Sequence, residues 1–193
     1  EPSRRQRQMC IRDSFTAEDE VLNGFAVPAN YTIIWVDQND AALWTGDEKW
    51  LRTVLAHELQ HLVYFNTVKG PWWLPEPMNS LVHGTPAWIV EGIAEYFTEE
   101  WRPFRYELSH RYHVLRNTVH KIQDPHNDGY SKSLYLADRF GDSTISKILN
   151  HRNKLKLFDF KESFKKHTGI TLKQFNEDWS CLLYTSDAAD EKV

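Results

Sequence analysis

The chain has 193 residues, of which 26% are charged and 13% aromatic, with eight tryptophans and a formal net charge of −4. So aromatic a composition excludes a disordered chain that cannot bury a core. The acidic balance argues against nucleic acid as the main partner, which needs a basic footprint. No apolar run approaches the roughly 20 residues of a membrane-spanning helix.

The two ends stand apart from the rest. RRQRQMCIRD, residues 4–13, and CLLYTSDAAD, residues 181–190, are both encodable by one DNA segment read on opposite strands. That segment resembles a transposon adaptor used to prepare sequencing libraries. Residues 1–14 and 181–193 are therefore expected to be adaptor scar, and residues 15–180 one domain large enough for a real core. Both cysteines, Cys10 and Cys181, fall in the scars. No disulfide framework is expected between them, and cysteine usage carries no information on compartment.

Tyr31–Val36 is β-branched and aromatic and predicts a strand; Asp37–Asp40 is turn chemistry, and Ala41–Trp44 predicts a second short strand. Thr45 or Gly46 caps a helix with Asp47 and Glu48 in its first turn, running to about Phe65. Residues 70–84 hold three prolines and two glycines and predict a loop. Thr85-Pro86 predicts a helix start, followed by WIVEGIAEYFTEEW. Arg105–Gln123 predicts helix and Asn127-Asp-Gly129 a turn. Further helices are expected over Ser131–Phe140, Ser143–His151, Phe158–His167 and Thr171–Trp179. The fold class is α+β, mainly α, with a small sheet near the start.

His57 and His61 stand four apart on the first of these helices, so one face carries both imidazoles. Glu58 is turned about 100° away, beside the pair. Two neutral imidazoles that bind an ion, with a carboxylate that takes a proton from an activated water, suit zinc. Val54, Leu55, Leu59, Leu62 and Val63 flank the triplet and predict a buried helix. Unpartnered polar groups there would be costly, and a metal would satisfy them. A catalytic zinc needs a third protein ligand. Glu91 and Glu95 lie four apart in an otherwise apolar helix. Glu91 as third ligand, with Glu95 holding a ligand histidine from behind, accounts for both. The competing reading pairs the two glutamates with basic residues such as Arg52 or Arg111.

H57-E-L-Q-H61 followed by E91-G-I-A-E-Y96 resembles the gluzincin metallopeptidases, the group of thermolysin and aminopeptidase N. The resemblance covers most of Arg52–Phe97. It implies a zincin-like catalytic domain with a small N-terminal sheet over the active-site helix. It also implies Zn²⁺ at His57, His61 and Glu91, Glu58 as general base, and a peptide or protein substrate. Y130-S-K-S133 is similar to the Y-x-K-G stretch of aminopeptidase N-like enzymes, which implies Tyr130 as oxyanion donor, with Tyr135 as the reserve candidate. The chain departs from the family in two places. Leu62–Val90 is longer than the aminopeptidase gap and is expected to include an inserted loop at the cleft rim. Ser133 replaces the glycine.

His83, His110, His113 and His120 read as loop or surface histidines, and the position of a third metzincin histidine is Thr67. Two other functions stay open beside peptide hydrolysis: a zinc hydrolase of a non-peptide substrate, and a non-catalytic binding module of a larger protein.

Overall fold

The computed structural model describes residues 24–27, 31–34, 47–71, 73, 84–98, 110–121 and 124–190. The molecule is mainly helical with one two-stranded antiparallel sheet among the described residues. β1 (Gly24–Val27) pairs with β2 (Tyr31–Ile34) in a hairpin, with Gly24 opposite Ile34 and Phe25 opposite Ile33. The pleat alternates: Tyr31 and Ile33 face solvent, while Ile34 packs on Trp50 and Val54 of the next helix. Phe25–Val27 lacks turn residues and makes a strand that the sequence reading did not anticipate. The expected strand at Ala41–Trp44 lies outside the described residues.

α1 spans Asp47–Val68, a turn longer than expected. Trp50, Val54, Glu58, His61, Tyr64 and Val68 recur at three- and four-residue spacing and form its buried face. Leu51, Leu55, Leu59 and Val63 also recur every four residues, yet this second stripe is exposed. The apolar flanks of the histidine pair therefore do not bury the helix all round. Leu55 and Leu59 belong to the outer face, and the helix is buried on the side that carries the polar residues.

α2 spans Ala87–Phe97, and its backbone begins one residue later than expected, with Pro86 in extended geometry as the N-cap. Residues 69–86 therefore connect α1 to α2, a shorter link than the Leu62–Val90 gap in the motif. Residues 110–115 are helical, followed by a 3₁₀ turn at Val119–Lys121, so the single helix expected over Arg105–Gln123 is broken near Asn117 (φ 54). α3 spans Pro125–Phe140. Asn127-Asp-Gly129 is thus not a turn but the first turns of a helix. Asp124 caps it: its Oδ1 accepts from the His126 N–H at 3.0 Å, and its carbonyl accepts from the Asp128 N–H at 2.9 Å. Pro125 takes the first helical position, where its missing N–H costs nothing.

α4 (Ser143–Asn150), α5 (Phe160–Thr168) and α6 (Leu172–Asp190) complete the chain. Asp159 caps α5 through the Glu162 N–H, and Gly169 ends it in the left-handed region at φ 77. α6 continues through residues 181–190, where Tyr184 accepts a hydrogen bond from the Val119 N–H. The core lies where α1, α2, α3, α4, α5 and α6 meet. Ile89, Ile148, Phe160, Phe164 and Phe175 are almost completely buried, and Trp88 stacks on Phe175 at 5.8 Å. No described helix is long and apolar enough to cross a membrane.

α2 and α3 meet at two glycines. A methyl group added at Gly92 would run into the backbone of Gly129, and one at Gly129 would run into the Trp88 carbonyl and the backbone of Gly92. Side chains cannot fit between helices packed this closely. Beside this crossing lies a polar cluster. Lys132 bonds Asp128 at 2.9 Å and sits over Trp179 at 4.6 Å and Trp88 at 5.2 Å. Trp179 Nε1 donates to Ser131 Oγ at 2.9 Å. His110, 3% exposed, meets Trp179 edge-on, and its pKa is lowered to about 4, first by burial and then by His113 and Lys132.

Two outcomes are expected. Gly92→Ala costs about 3 kcal/mol or more by urea unfolding, because backbone rather than a flexible side chain must yield. Gly84→Ala, where an added Cβ meets nothing within 4 Å, costs only the roughly 1–2 kcal/mol of a left-handed residue. Equal costs would show that the crossing is looser than described. His110 is held neutral in the folded chain, so its contribution is complete above its ordinary pKa of 6.5 and is lost as the pH falls from there toward about 4. At about 1.4 kcal/mol per unit, some 3 kcal/mol goes in that window. His110→Phe should flatten that part of the stability profile, and an unchanged slope would rule out His110 as its source.

Candidate metal centre

Three elements bring the site together. α1 presents His57 and His61 from its buried face, one turn apart. α2 presents Glu91 from the residue before the glycine crossing, and α3 presents His126 from its first turn. The close crossing of α2 and α3 puts the last two within reach of the α1 pair.

The contacts converge on one atom. Glu91 Oε2 lies 3.4 Å from His57 Nε2, 3.2 Å from His61 Nε2 and 3.1 Å from His126 Nε2. His57 Nε2 and His61 Nε2 are themselves 3.1 Å apart. Candidate ligand atoms of His57, Glu91 and His126 all lie within 4.8 Å of one another, so this group could hold a metal ion. Hydrogen bonding accounts poorly for the set. For each imidazole to donate to Glu91, His57 and His61 would both need a proton on Nε2, and two N–H groups 3.1 Å apart would point at the same region. Lone pairs that share a cation remove the conflict. A tetrahedron with arms of about 2.0–2.1 Å, the zinc–nitrogen and zinc–oxygen lengths, has edges of about 3.3–3.4 Å. The four separations above fall at or slightly below that spacing.

The surroundings fit the same chemistry. His57 Nδ1 faces Glu95 Oε1 at 3.6 Å, a contact longer than a hydrogen bond but on the ring atom opposite the cluster. Glu95 is 1% exposed. Glu91 thus faces three histidines and Glu95 faces His57. His61 Nδ1 and Glu58 Oε2 are buried with no hydrogen-bond partner among the described residues.

The electrostatics separate the carboxylates. Burial pushes Glu58 up to about 7, with His61 pulling the other way. Burial works against ionisation of Glu91 as well, but hydrogen bonds from His126, His57 and His61 overcome it and hold that carboxyl far below the usual range. His57 is lowered by burial, against the pull of Glu91 and Glu95. β1 lies against Glu58: a Cβ on Gly24 would stand 3.2 Å from Glu58 Oε1.

The structure thus gathers His57, His61 and Glu91, with Glu58 and Glu95 beside them. Tyr130 stands one turn beyond His126 on the same face of α3 and is buried. The Tyr135 hydroxyl is engaged by Arg139, and its ring lies on Phe175 at 5.3 Å. His110 belongs to the tryptophan cluster, and His113 Nδ1 contacts Thr118 Oγ1 at 3.0 Å. His83 lies outside the described residues. His126 is the member the sequence reading missed. Its signal was the Asp124-Pro125 cap, which starts a helix and sets His126 and Tyr130 four apart on one face. Asn-Asp-Gly, read as a turn, hid it.

Compared with protein-family models, curated proteins and solved structures, the chain matches none.

A chelator-treated sample titrated with Zn²⁺ is expected to take up one ion per chain. Free metal at about 100 times Kd should raise unfolding stability by roughly 2.7 kcal/mol. Glu91→Ala should remove both effects. A thermal transition that does not respond to metal would exclude a metal centre here.

Proposed function

We propose that this protein is a gluzincin-like metallopeptidase with a zincin-like fold, and that it hydrolyses peptide bonds with Zn²⁺ held by His57, His61 and Glu91. The observation that carries the reading is the convergence of these three side chains on one point, with the buried Glu58 next in sequence to the first of them. Zinc bound there would polarise a carbonyl and acidify water.

The residues divide the remaining work. Glu91 would bring a negative charge that offsets part of the charge of the ion it holds. Glu95 backs His57 on its Nδ1 side and favours the tautomer that leaves Nε2 free for metal. Glu58, raised by burial and adjacent to the cluster, is the group placed to take a proton from water and return it to the leaving amine. Tyr130, four residues beyond His126, is the candidate to donate to the developing oxyanion. β1, adjacent to Glu58, pairs with β2 on one side only among the described residues. An extended peptide added along its other edge would bring a carbonyl toward the base.

A pure binding module has no use for a raised carboxylate beside three imidazoles, and Glu58→Gln separates the readings. The variant should keep its zinc and its melting temperature while cleavage of a generic peptide substrate falls by about 10²-fold or more. Full activity in Glu58→Gln would refute the assignment of the base. Zinc-loaded wild-type protein that cleaves no peptide but retains a specific ligand would favour the module.

A further inference from the structure

We infer that His126 is a fourth protein ligand of this centre, one that closes the coordination sphere at rest and leaves it when substrate enters. The inference deepens the metallopeptidase reading and rests on it.

A catalytic zinc keeps one position open for water or substrate, whereas a site with four protein ligands is closed. This chain supplies four. His126 Nε2 lies 3.1 Å from Glu91 Oε2, as close as either histidine of α1, and its ring stacks on His57 at 5.8 Å with planes 20° apart. The four donors differ in how firmly they are held. His57 and His61 stand in the middle of a 22-residue helix, with side chains 12% and 8% exposed. Glu91 follows the buried Trp88 and Ile89 in the first turn of α2 and precedes the glycine crossing. The His126 side chain is 39% exposed and stands on the second residue of α3, where helix ends fray first. Its Nδ1 is 3.8 Å from Asp124 Oδ1, and Asp124 is itself 45% exposed. A rotation about the His126 side-chain bonds would carry the imidazole into solvent without disturbing α1, α2 or the glycine contact. Of the four donors, His126 is the most exposed and the one nearest a helix end.

X-ray absorption of the zinc-loaded full chain counts the imidazoles on the metal. Three are expected for the wild type and two for His126→Ala and His126→Gln. Both variants should bind zinc at least 10–100-fold more weakly, the range that outer-shell partners alone are worth. Acetohydroxamate, a bidentate probe of an open zinc, should lower the wild-type count from three to two. Two imidazoles in the wild type, with zinc affinity unchanged in both variants, would overturn the inference and leave the three-ligand peptidase reading intact. A count that stays at three with acetohydroxamate bound would overturn the displacement. A wild-type chain that binds no zinc removes both readings together, and a Glu91→Ala control identifies that case by behaving like the wild type.

Discussion

The site depends on a contact with no side chains in it. Where α2 crosses α3, Gly92 meets Gly129 backbone to backbone. Glu91 precedes the first glycine and His126 lies three residues before the second, so the distance between the helix axes sets the distance between a carboxylate and an imidazole. A methyl group at either position would push the helices apart, and donors that now lie 3.1 Å apart would separate with them. The rest of the fold supports that crossing. Trp88 supplies the carbonyl on which Gly129 rests, its ring stacks on Phe175, and Lys132 lies over its face. The tryptophan cluster therefore bears on the same two helices. This explains why an acidic, lysine-bearing helix turn can be buried: Lys132, Asp128 and two indoles compensate one another in a place where none could be left alone.

α1 solves a different problem. It must carry charge-bearing residues on its inner face and yet pack. It does so by interleaving them with Trp50, Val54, Tyr64 and Val68, so each polar residue has an apolar neighbour one turn away. The outer Leu51–Val63 stripe contributes nothing to that burial. An apolar face and a buried face are separate properties of a helix, and here a chain rich in leucine places its polar residues inward.

The sequence carried the parts of this arrangement that depend on spacing within one helix. Four-residue separation puts His57 with His61, and Glu91 with Glu95, on shared faces whatever the tertiary structure, so both pairs were legible before any coordinates. β2, α4, α5 and the first half of α6 were legible too, from β-branched runs and helical patterning. What was not legible depends on distance across the chain. Asn127-Asp-Gly129 has the composition of a turn, and local propensity favours that reading. Tertiary packing reverses it, because Gly129 is selected for its missing side chain at the crossing rather than for its flexibility. Once those residues are helical, the Asp124-Pro125 cap becomes meaningful and His126 turns toward Glu91. One misread glycine therefore concealed a site residue. β1 escaped for the opposite reason: four residues with little alternation are defined by their partner, not by themselves.

Two buried glutamates near one cluster could have behaved alike, and they do not. Glu58 is desolvated and is raised to about 7; Glu91, also desolvated, is ringed by imidazoles and is driven far the other way. Environments that split chemically identical groups in this manner divide labour between them. A carboxylate held ionised is suited to hold a cation and poorly suited to exchange protons. One whose charged form is penalised by burial is suited to exchange protons and is a weaker ligand. Position agrees with charge: Glu91 Oε2 is the atom on which the imidazoles converge, whereas Glu58 stands to the side, against β1. Burial alone would have raised both. The difference lies in where three histidine nitrogens point, and that is fixed by the helix face of α1 and the closeness of α2 to α3.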